Sequence, residues 1–160
     1  MQEMVIYGVS FDMVGKQPIV LLKTADGKRF LPIWIGPNEA GAIMTKLQGG
    51  EPPRPMTHDL LRNMARNLNA EVRKVVVSEL REDTFYAVIW LDQNGETVAM
   101  DARPSDAIAL ALRWDCPIYV NRDVLENSRQ VSSGNQSINA DEMRRWLENL
   151  NDDEMGRYKM

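Results

Sequence analysis

Two short signals recur along the chain at almost the same spacing, and they constrain the fold more than any other feature. An Asx-Gly pair stands between apolar runs at Asp26-Gly27, and another follows 68 residues later at Asn94-Gly95. Such pairs favour tight hairpin turns, because these turns need residues with positive φ. A proline, a polar residue, an acid and an alanine occupy residues 37–40, and the same order returns 67 residues later at 104–107. We therefore predict an internal duplication, in which three strands are followed by a helix twice.

Hydrophobic periodicity divides both halves of the chain in this way. Apolar runs and alternation predict strands in each half, over residues 5–12, 18–23, 29–35, 72–80, 85–91 and 97–101. A helical spacing then predicts a helix that begins near Asn38 and ends at Gly49. A second helix is predicted to begin at Thr57 and to turn an apolar stripe toward the core, formed by Leu60, Leu61, Met64, Ala65 and Leu68. The helix that opens at residues 104–106 is apolar on every side, which predicts that it is buried.

The chain has the length of one domain with an appendage, 160 residues. We predict a folded domain over residues 1–126, a polar linker over 127–137 and an amphipathic helix with a tail over 138–160. The apolar stripe of that last helix must dock on its own domain or on a neighbouring subunit; it comprises Met143, Trp146, Leu147 and Leu150. No run of 18 apolar residues and no signal-peptide pattern occur, so we expect a cytoplasmic protein without a membrane span.

Composition excludes several kinds of site. There is one cysteine, Cys116, and one histidine, His58, so one chain cannot form a disulfide or a cysteine-based metal site. The formal charge of −4 argues against a general nucleic-acid coat protein, because binding to phosphates draws on clustered Lys and Arg. An enzyme that contacts nucleic acid through a local patch remains compatible with this charge.

The start of the helix at residues 104–106 carries the most informative polar cluster, formed by Asp101, Arg103, Ser105 and Asp106. A helix N-terminus offers free N–H groups and the positive end of a dipole, and Arg103 beside it would complete a phosphate site. The alternative needs no ligand. In that interpretation Ser105 caps the helix, Asp106 favours the dipole and Arg103 pairs with Asp101.

Glu39 occupies the corresponding place in the first half of the chain. If the two halves face each other, the carboxylates of Glu39 and Asp106 would approach one another. Paired carboxylates can hold Mg²⁺ or Mn²⁺, or can act in acid–base catalysis. The alternative is that each acid only stabilises the start of its own helix.

A second candidate cluster follows a proline-rich loop and comprises Arg54, His58 and Asp59. Histidine gains and loses a proton readily near neutral pH, so His58 could act as a base, with Asp59 as its orienting carboxylate. Arg54 could hold a phosphate. The alternative is an ordinary solvated first turn of a helix.

Three stretches, taken in order, resemble the bifunctional nuclease domain family: LPIWIGPNEA at 31–40, PRPMTHDL at 53–60 and DARPSDAIALALR at 101–113. The resemblance covers about residues 3–126. It implies an α+β fold of duplicated strand–helix units, built on one barrel-like, mostly antiparallel sheet with flanking helices, and commonly a homodimer. It also implies cleavage of both DNA and RNA. The resemblance assigns no catalytic residue. It shows only that the candidate residues lie within the three matching stretches.

Two hypotheses follow. The first is a nuclease with little sequence preference, in which a Mg²⁺ or Mn²⁺ ion assists hydrolysis. Its catalytic residues are His58, Asp59 and Asp106, its substrate-binding residues Arg54, Arg103 and Ser105, and its metal ligands Glu39, Asp101 and Asp106. The second is a non-catalytic regulatory homodimer that binds an anionic ligand at the same helix starts. A nuclease needs a basic groove near the acids, for which the candidates are Arg62, Arg66, Arg73 and Lys74.

Overall fold

The computed structural model describes residues 1–12, 16–128 and 131–132. Its elements in chain order are β1 (Gln2–Asp12), β2 (Gln17–Thr24), β3 (Arg29–Trp34), α1 (Pro37–Leu47), α2 (Thr57–Asn67), β4 (Ala70–Arg81), β5 (Thr84–Gln93), β6 (Glu96–Ala102), α3 (Pro104–Trp114), β7 (Ile118–Val120), α4 (Arg122–Asn127) and β8 (Val131–Ser132). The predicted order of three strands and a helix thus occurs twice, in β1β2β3α1 and in β4β5β6α3. That this order arose by duplication remains a prediction.

All eight strands form one sheet in the order β6-β5-β4-β7-β1-β2-β3-β8. Neighbouring strands are antiparallel except β4 and β7, which are parallel. The predicted α+β class with a mostly antiparallel sheet is therefore confirmed. In the part of the chain that is described, β6 and β8 stand at opposite edges and do not pair with each other, so the barrel-like closure is not confirmed.

Both predicted hairpin turns are present. Asn94 and Gly95 have φ values of +52° and +85°, which is the backbone that a tight two-residue hairpin requires. Gly27 has a φ of +70°, and its N–H donates to the Thr24 carbonyl at 2.8 Å. These two turns join β5 to β6 and β2 to β3, and so they set the register of two antiparallel pairs.

Helix α3 lies at the centre of the fold, as its apolar sequence predicts. Ala107, Ile108 and Ala109 are fully buried, and the helix packs against α1, α2, β4 and β5. Strands β2 and β3 are also buried along almost their whole length. The start of α3 therefore stands on a rigid base, and the side chains there have defined neighbours.

Helix α2 is oriented differently from the prediction. Leu60, Leu61, Met64 and Leu68 are exposed, and His58 is the one buried residue of this helix. The prediction that the apolar stripe turns toward the core is therefore wrong. The periodicity shows that α2 has an apolar side, but it does not determine which side of the helix meets the domain. The side of α2 that packs on α3 is polar. There His58 contacts Asp106, and Asp59 pairs with Arg113.

The helix starts also differ in detail. Helix α1 begins after Gly36 and α3 after Arg103, and in each a proline takes the first helical position, where its missing N–H costs nothing. Neither Asn38 nor Ser105 is therefore a cap. Helix α2 follows Met56, whose N–H donates to the Asp59 carboxylate at 3.0 Å.

The end of the chain is described only in part. Val131 and Ser132 pair with Phe30 and Arg29, within the stretch predicted to be a linker. The predicted helix and tail over residues 138–160 lie outside the described residues. No helix within the described ranges is long and apolar enough to span a membrane.

Candidate active site

A cleft of about 1130 Å³ opens between α1, α2 and the start of α3. Its lining includes seven of the eight predicted site residues: Glu39, Arg54, His58, Asp59, Asp101, Arg103 and Asp106. Ser105 is the exception, because it is fully buried and does not line the cleft. Three segments that are distant in sequence therefore meet at one surface.

Arg103 joins the two halves of the chain across this cleft. Its Nη2 donates to Glu39 Oε1 at 2.9 Å, and its Nε donates to Asp106 Oδ2 at 2.9 Å. The two carboxylates thus share one guanidinium, so the approach that the sequence left open does occur in the structure. Their hydrogen bonds, first that of Asp106 and then that of Glu39, raise the pKa of Arg103 further above its usual value.

The pairing of Arg103 with Asp101, considered from the sequence, does not occur. Arg103 follows the end of β6 and precedes α3, so its side chain lies beside the first turn of the helix rather than along the strand. Asp106, three residues ahead on the helix, is a neighbour in that geometry. Asp101 is exposed and lines the cleft separately.

Glu39 is held close to the backbone at the start of α1. Its carboxylate occupies the space that a Cβ at Gly36 would take. The φ of Gly36 is −74°, which any residue can adopt, so the requirement for glycine at this position is spatial.

His58 contacts Asp106 rather than Asp59. Its Nε2 lies 2.9 Å from Asp106 Oδ1, while Oδ2 of the same carboxylate accepts from Arg103. A carboxylate that accepts from Nε2–H leaves Nδ1 as the acceptor of the neutral ring. Within residues 1–12, 16–128 and 131–132, no hydrogen bond to Nδ1 of His58 occurs. Asp106, and not the predicted Asp59, is therefore the carboxylate in contact with the His58 ring.

Asp59 instead forms a buried ion pair with Arg113, whose Nε donates to Asp59 Oδ1 at 2.8 Å. Adjacent residues on a helix point in different directions, so His58 and Asp59 cannot form the predicted pair. Burial raises the pKa of Asp59. The N–H of Met56 and the guanidinium of Arg113 lower it by more, and the pKa of Asp59 is below its usual value.

Arg113 also lines the cleft and was not predicted as a site residue. Its side chain is 3% exposed and makes two further hydrogen bonds, to the Ala109 carbonyl at 2.8 Å and to the Ala42 carbonyl at 3.2 Å. It therefore ties α3 to both α1 and α2, the two walls of the cleft. A signal was present, because an arginine on an otherwise apolar, buried helix needs a charged partner.

The predicted metal ligands are not gathered into one cluster. In the described part of the chain, no three histidine, cysteine, aspartate or glutamate side chains are grouped as a metal site. Carboxylate oxygens are suitable donors for Mg²⁺ or Mn²⁺, but those of Glu39 and Asp106 already hold Arg103. A metal ion at this site remains a prediction.

Of the four predicted groove cations, Arg62 alone lines the cleft. Arg66 lies over the Trp114 ring, Arg73 pairs with Asp92 at 2.8 Å, and Lys74 lies over Trp90 and Tyr119. Lys46, which the sequence analysis missed, and Arg54 also line the cleft. Neither forms an ion pair with another described residue. The cleft thus has cations on both walls, Lys46 on α1 and Arg62 on α2, and of its cations Arg54 and Arg62 were predicted.

The chain belongs to the bifunctional nuclease domain family, because the sequence profile of that family matches residues 20–133. It is 46% identical over 125 residues to an uncharacterized protein of Mycobacterium tuberculosis, an alignment that covers 78% of this chain and 74% of the relative. It is 32% identical over 113 residues to bifunctional nuclease 1 of Oryza sativa and 31% identical over 129 residues to bifunctional nuclease 1 of Arabidopsis thaliana. These alignments cover 68% and 77% of this chain, but only 34% and 40% of the plant proteins.

Proposed function

We propose that this chain is a nuclease that hydrolyses phosphodiester bonds in DNA and RNA at the cleft between α1, α2 and α3. Membership of the bifunctional nuclease domain family supports this function. So do the names of the plant relatives, which are much longer than this chain. Activity is therefore assigned to the residues of this cleft and not carried over from the whole plant proteins.

The observation that carries the proposal is the chain of contacts from Glu39 through Arg103 and Asp106 to His58. Asp106 orients the ring of His58 through Nε2. Nδ1 of His58 then takes a proton from the attacking water as the new P–O bond forms. The displaced oxygen must be protonated as it leaves, and the protonated His58 or bulk water can supply that proton.

The substrate phosphate is placed by the cations of the cleft. The side chain of Arg103 is 51% exposed, so its guanidinium can contact a phosphate oxygen while it keeps Asp106. Arg54 and Arg62 lie on the lining of the same cleft and would bind flanking phosphates. Charge on the phosphoryl oxygens in the transition state would thus meet fixed positive groups.

We keep a Mg²⁺ or Mn²⁺ ion within the proposal. Glu39, Asp101 and Asp106 are the residues that would hold it, and in this alternative arrangement Glu39 and Asp106 would bind the ion instead of Arg103. Such an ion would stabilise negative charge on the phosphoryl oxygens.

We further propose a homodimer. In the described sheet β6 is an edge strand, and Val98 and Met100 are exposed on it. A free strand edge with apolar side chains can pair with the same edge of a second copy. Light scattering of the purified chain should give twice the monomer mass of 18.2 kDa.

The test is cleavage of labelled single-stranded RNA and DNA with Mg²⁺, with Mn²⁺ and with chelator. His58→Gln and Asp106→Asn should each slow cleavage by about 10²–10³-fold, as expected for the loss of a general base or its orienting group. Asp92→Asn is the matched control. It makes the same chemical change in a carboxylate that pairs with Arg73 away from the cleft, and it should leave the rate unchanged.

Equal cleavage by wild type and all three variants would contradict the assignment of this site. Binding of nucleic acid or of a small phosphate ester without any cleavage would favour the alternative, a regulatory homodimer that binds an anion. One observation favours that alternative, since Glu39 and Asp106 are both engaged by Arg103.

A further inference from the structure

The cleft also has apolar side chains in its lining, which the proposed function does not use. Met56, Leu61 and Met100 line it, and their exposed fractions are 58%, 43% and 50%. The buried residues Ile89 and Leu110 line the same cleft. We call these five residues the apolar lining. Exposed apolar side chains in a cleft are typical of a ligand site, because a bound ligand removes them from water.

Part of the apolar lining lies close to the residues proposed for catalysis. Met100 pairs with Ile89 across β6 and β5, so the two side chains share the buried side of the sheet. Met100 stands three residues before Arg103, which is at most about 10 Å along the chain. Leu110 follows Asp106 by one helical turn, about 6 Å along α3. One nucleotide can span separations of this size, so a base can reach this part of the lining from a phosphate held by Arg103.

The chemistry of the cleft restricts what can occupy it. Arg54 and Arg103 favour an anion, whereas Met100 offers an unbranched thioether that adapts its shape to different apolar partners. A ligand that satisfies both has an anionic group joined to a flat ring system, which is the chemistry of a nucleotide. In a duplex the faces of a base are covered by its neighbours in the stack. An unpaired nucleotide can instead turn its base outward, onto a protein surface.

We propose that the apolar lining binds the base of an unpaired nucleotide whose phosphate is held by Arg103, and that Met100 contacts this base. The inference rests on the proposed function, since it concerns the same cleft, and it adds that the substrate is single-stranded. Met100 is then a specificity-determining residue. A base that remains paired and stacked in a duplex cannot place its face on Met100, so the paired strand loses this contact.

The test measures binding rather than cleavage, by fluorescence anisotropy in the presence of chelator. All proteins carry His58→Gln, so that the probes stay intact. One probe is a labelled DNA oligonucleotide, and the other has the same length of deoxyribose phosphate without bases. Met100→Ser should weaken binding of the first probe about five- to tenfold and of the second less than about twofold. Arg103→Met should weaken binding of both probes, because both contain phosphates.

Val98→Ser is the matched control. Val98 lies two residues before Met100 on the same side of β6 and is 38% exposed, but it does not line the cleft. This substitution should leave both affinities unchanged. Both residues belong to the edge proposed for the homodimer, so equal weakening by Val98→Ser and Met100→Ser would indicate an effect through assembly and would overturn the role of Met100. Equal weakening of both probes by Met100→Ser, or of neither, would overturn it as well.

Pairing the DNA oligonucleotide with its complement gives a second readout. The duplex should bind at least about tenfold more weakly than the single strand, and tighter binding of the duplex contradicts the inference. A separate cleavage assay distinguishes the two proposals. Binding that depends on Met100, in a protein that cleaves nothing, would support the base site and contradict the nuclease. Cleavage by the wild type without any effect of Met100→Ser would do the reverse, and a protein that binds neither probe would overturn both.

Discussion

Two arginines stand at opposite ends of α3 and both bind carboxylates, but they differ in burial and in the partners that they hold. Arg113 is 3% exposed, holds Asp59 and bonds two backbone carbonyls. Arg103 is 51% exposed and holds two carboxylates at the mouth of the cleft. A buried pair of this kind fixes positions, because any change leaves a charge without a partner. An exposed pair can exchange partners at little cost, which is what a substrate-binding group requires.

The largest expected effect comes from breaking the buried pair. Arg113→Met leaves the Asp59 carboxylate, which is 17% exposed and lines the cleft, without its cation and should lower the free energy of unfolding by about 3 kcal/mol. Arg113→Lys should recover little of this loss, because an ammonium cannot reproduce the three-way contact of the guanidinium. Urea unfolding of the three proteins at neutral pH measures both effects. A loss below about 1 kcal/mol for Arg113→Met would mean that the pair does not tie the helices together.

A smaller effect, with a defined dependence on pH, should follow from Asp59→Asn. The pKa of Asp59 is lowered in the folded chain, so the ionised carboxylate stabilises the fold. That stabilisation is complete above the unfolded-state value of about 3.9 and is lost as the pH falls through the lower folded value. We expect Asp59→Asn to cost about 2 kcal/mol at pH 7.

The same comparison at low pH checks the sign. The stability difference between wild type and Asp59→Asn should shrink as the pH falls through the lowered folded pKa of Asp59, because the wild-type carboxyl then becomes neutral as well. Urea unfolding over this pH range gives the difference directly. A difference that grows in acid would contradict the lowered pKa.

The smallest effect on stability is expected at the exposed pair. Arg103→Met should change the free energy of unfolding by less than about 1 kcal/mol, because its ion pairs are largely hydrated. Under the proposed function it should nevertheless slow cleavage by about 10²-fold, since it removes a cation from the phosphate site. Measuring the free energy of unfolding and the cleavage rate on one preparation distinguishes the effect of Arg103 from that of Arg113. Equal losses of stability for Arg103→Met and Arg113→Met would remove the distinction between them.

The sequence predicted those parts of this molecule that depend on nearby residues. The turns at Asp26-Gly27 and Asn94-Gly95 need positive φ, which the local sequence reveals. The burial of α3 follows from a helix without a polar side. The repeated order of elements suggested that Glu39 and Asp106 could approach each other, but whether they meet depends on the packing of α1 on α3.

The rest depended on contacts between distant segments. Asp59 is next to His58 in the sequence, and Asp106 is next to it in the structure. Only the packing of α2 on α3 decides which carboxylate contacts the ring. The orientation of α2 could not be read from its periodicity, because a polar side with charged partners can be buried as well as an apolar one. Arg113 was overlooked because its partner, Asp59, lies 54 residues away.

The position of the Glu39 carboxylate beside Gly36 links the backbone before α1 to Arg103. A Cβ at position 36 would meet Glu39 Oε2, so the end of this flexible side chain would have to move aside. The other oxygen, Oε1, accepts from Arg103, and a side chain at position 36 would therefore disturb that ion pair although Gly36 does not line the cleft. Position 36 is thus a place from which the site can be altered indirectly.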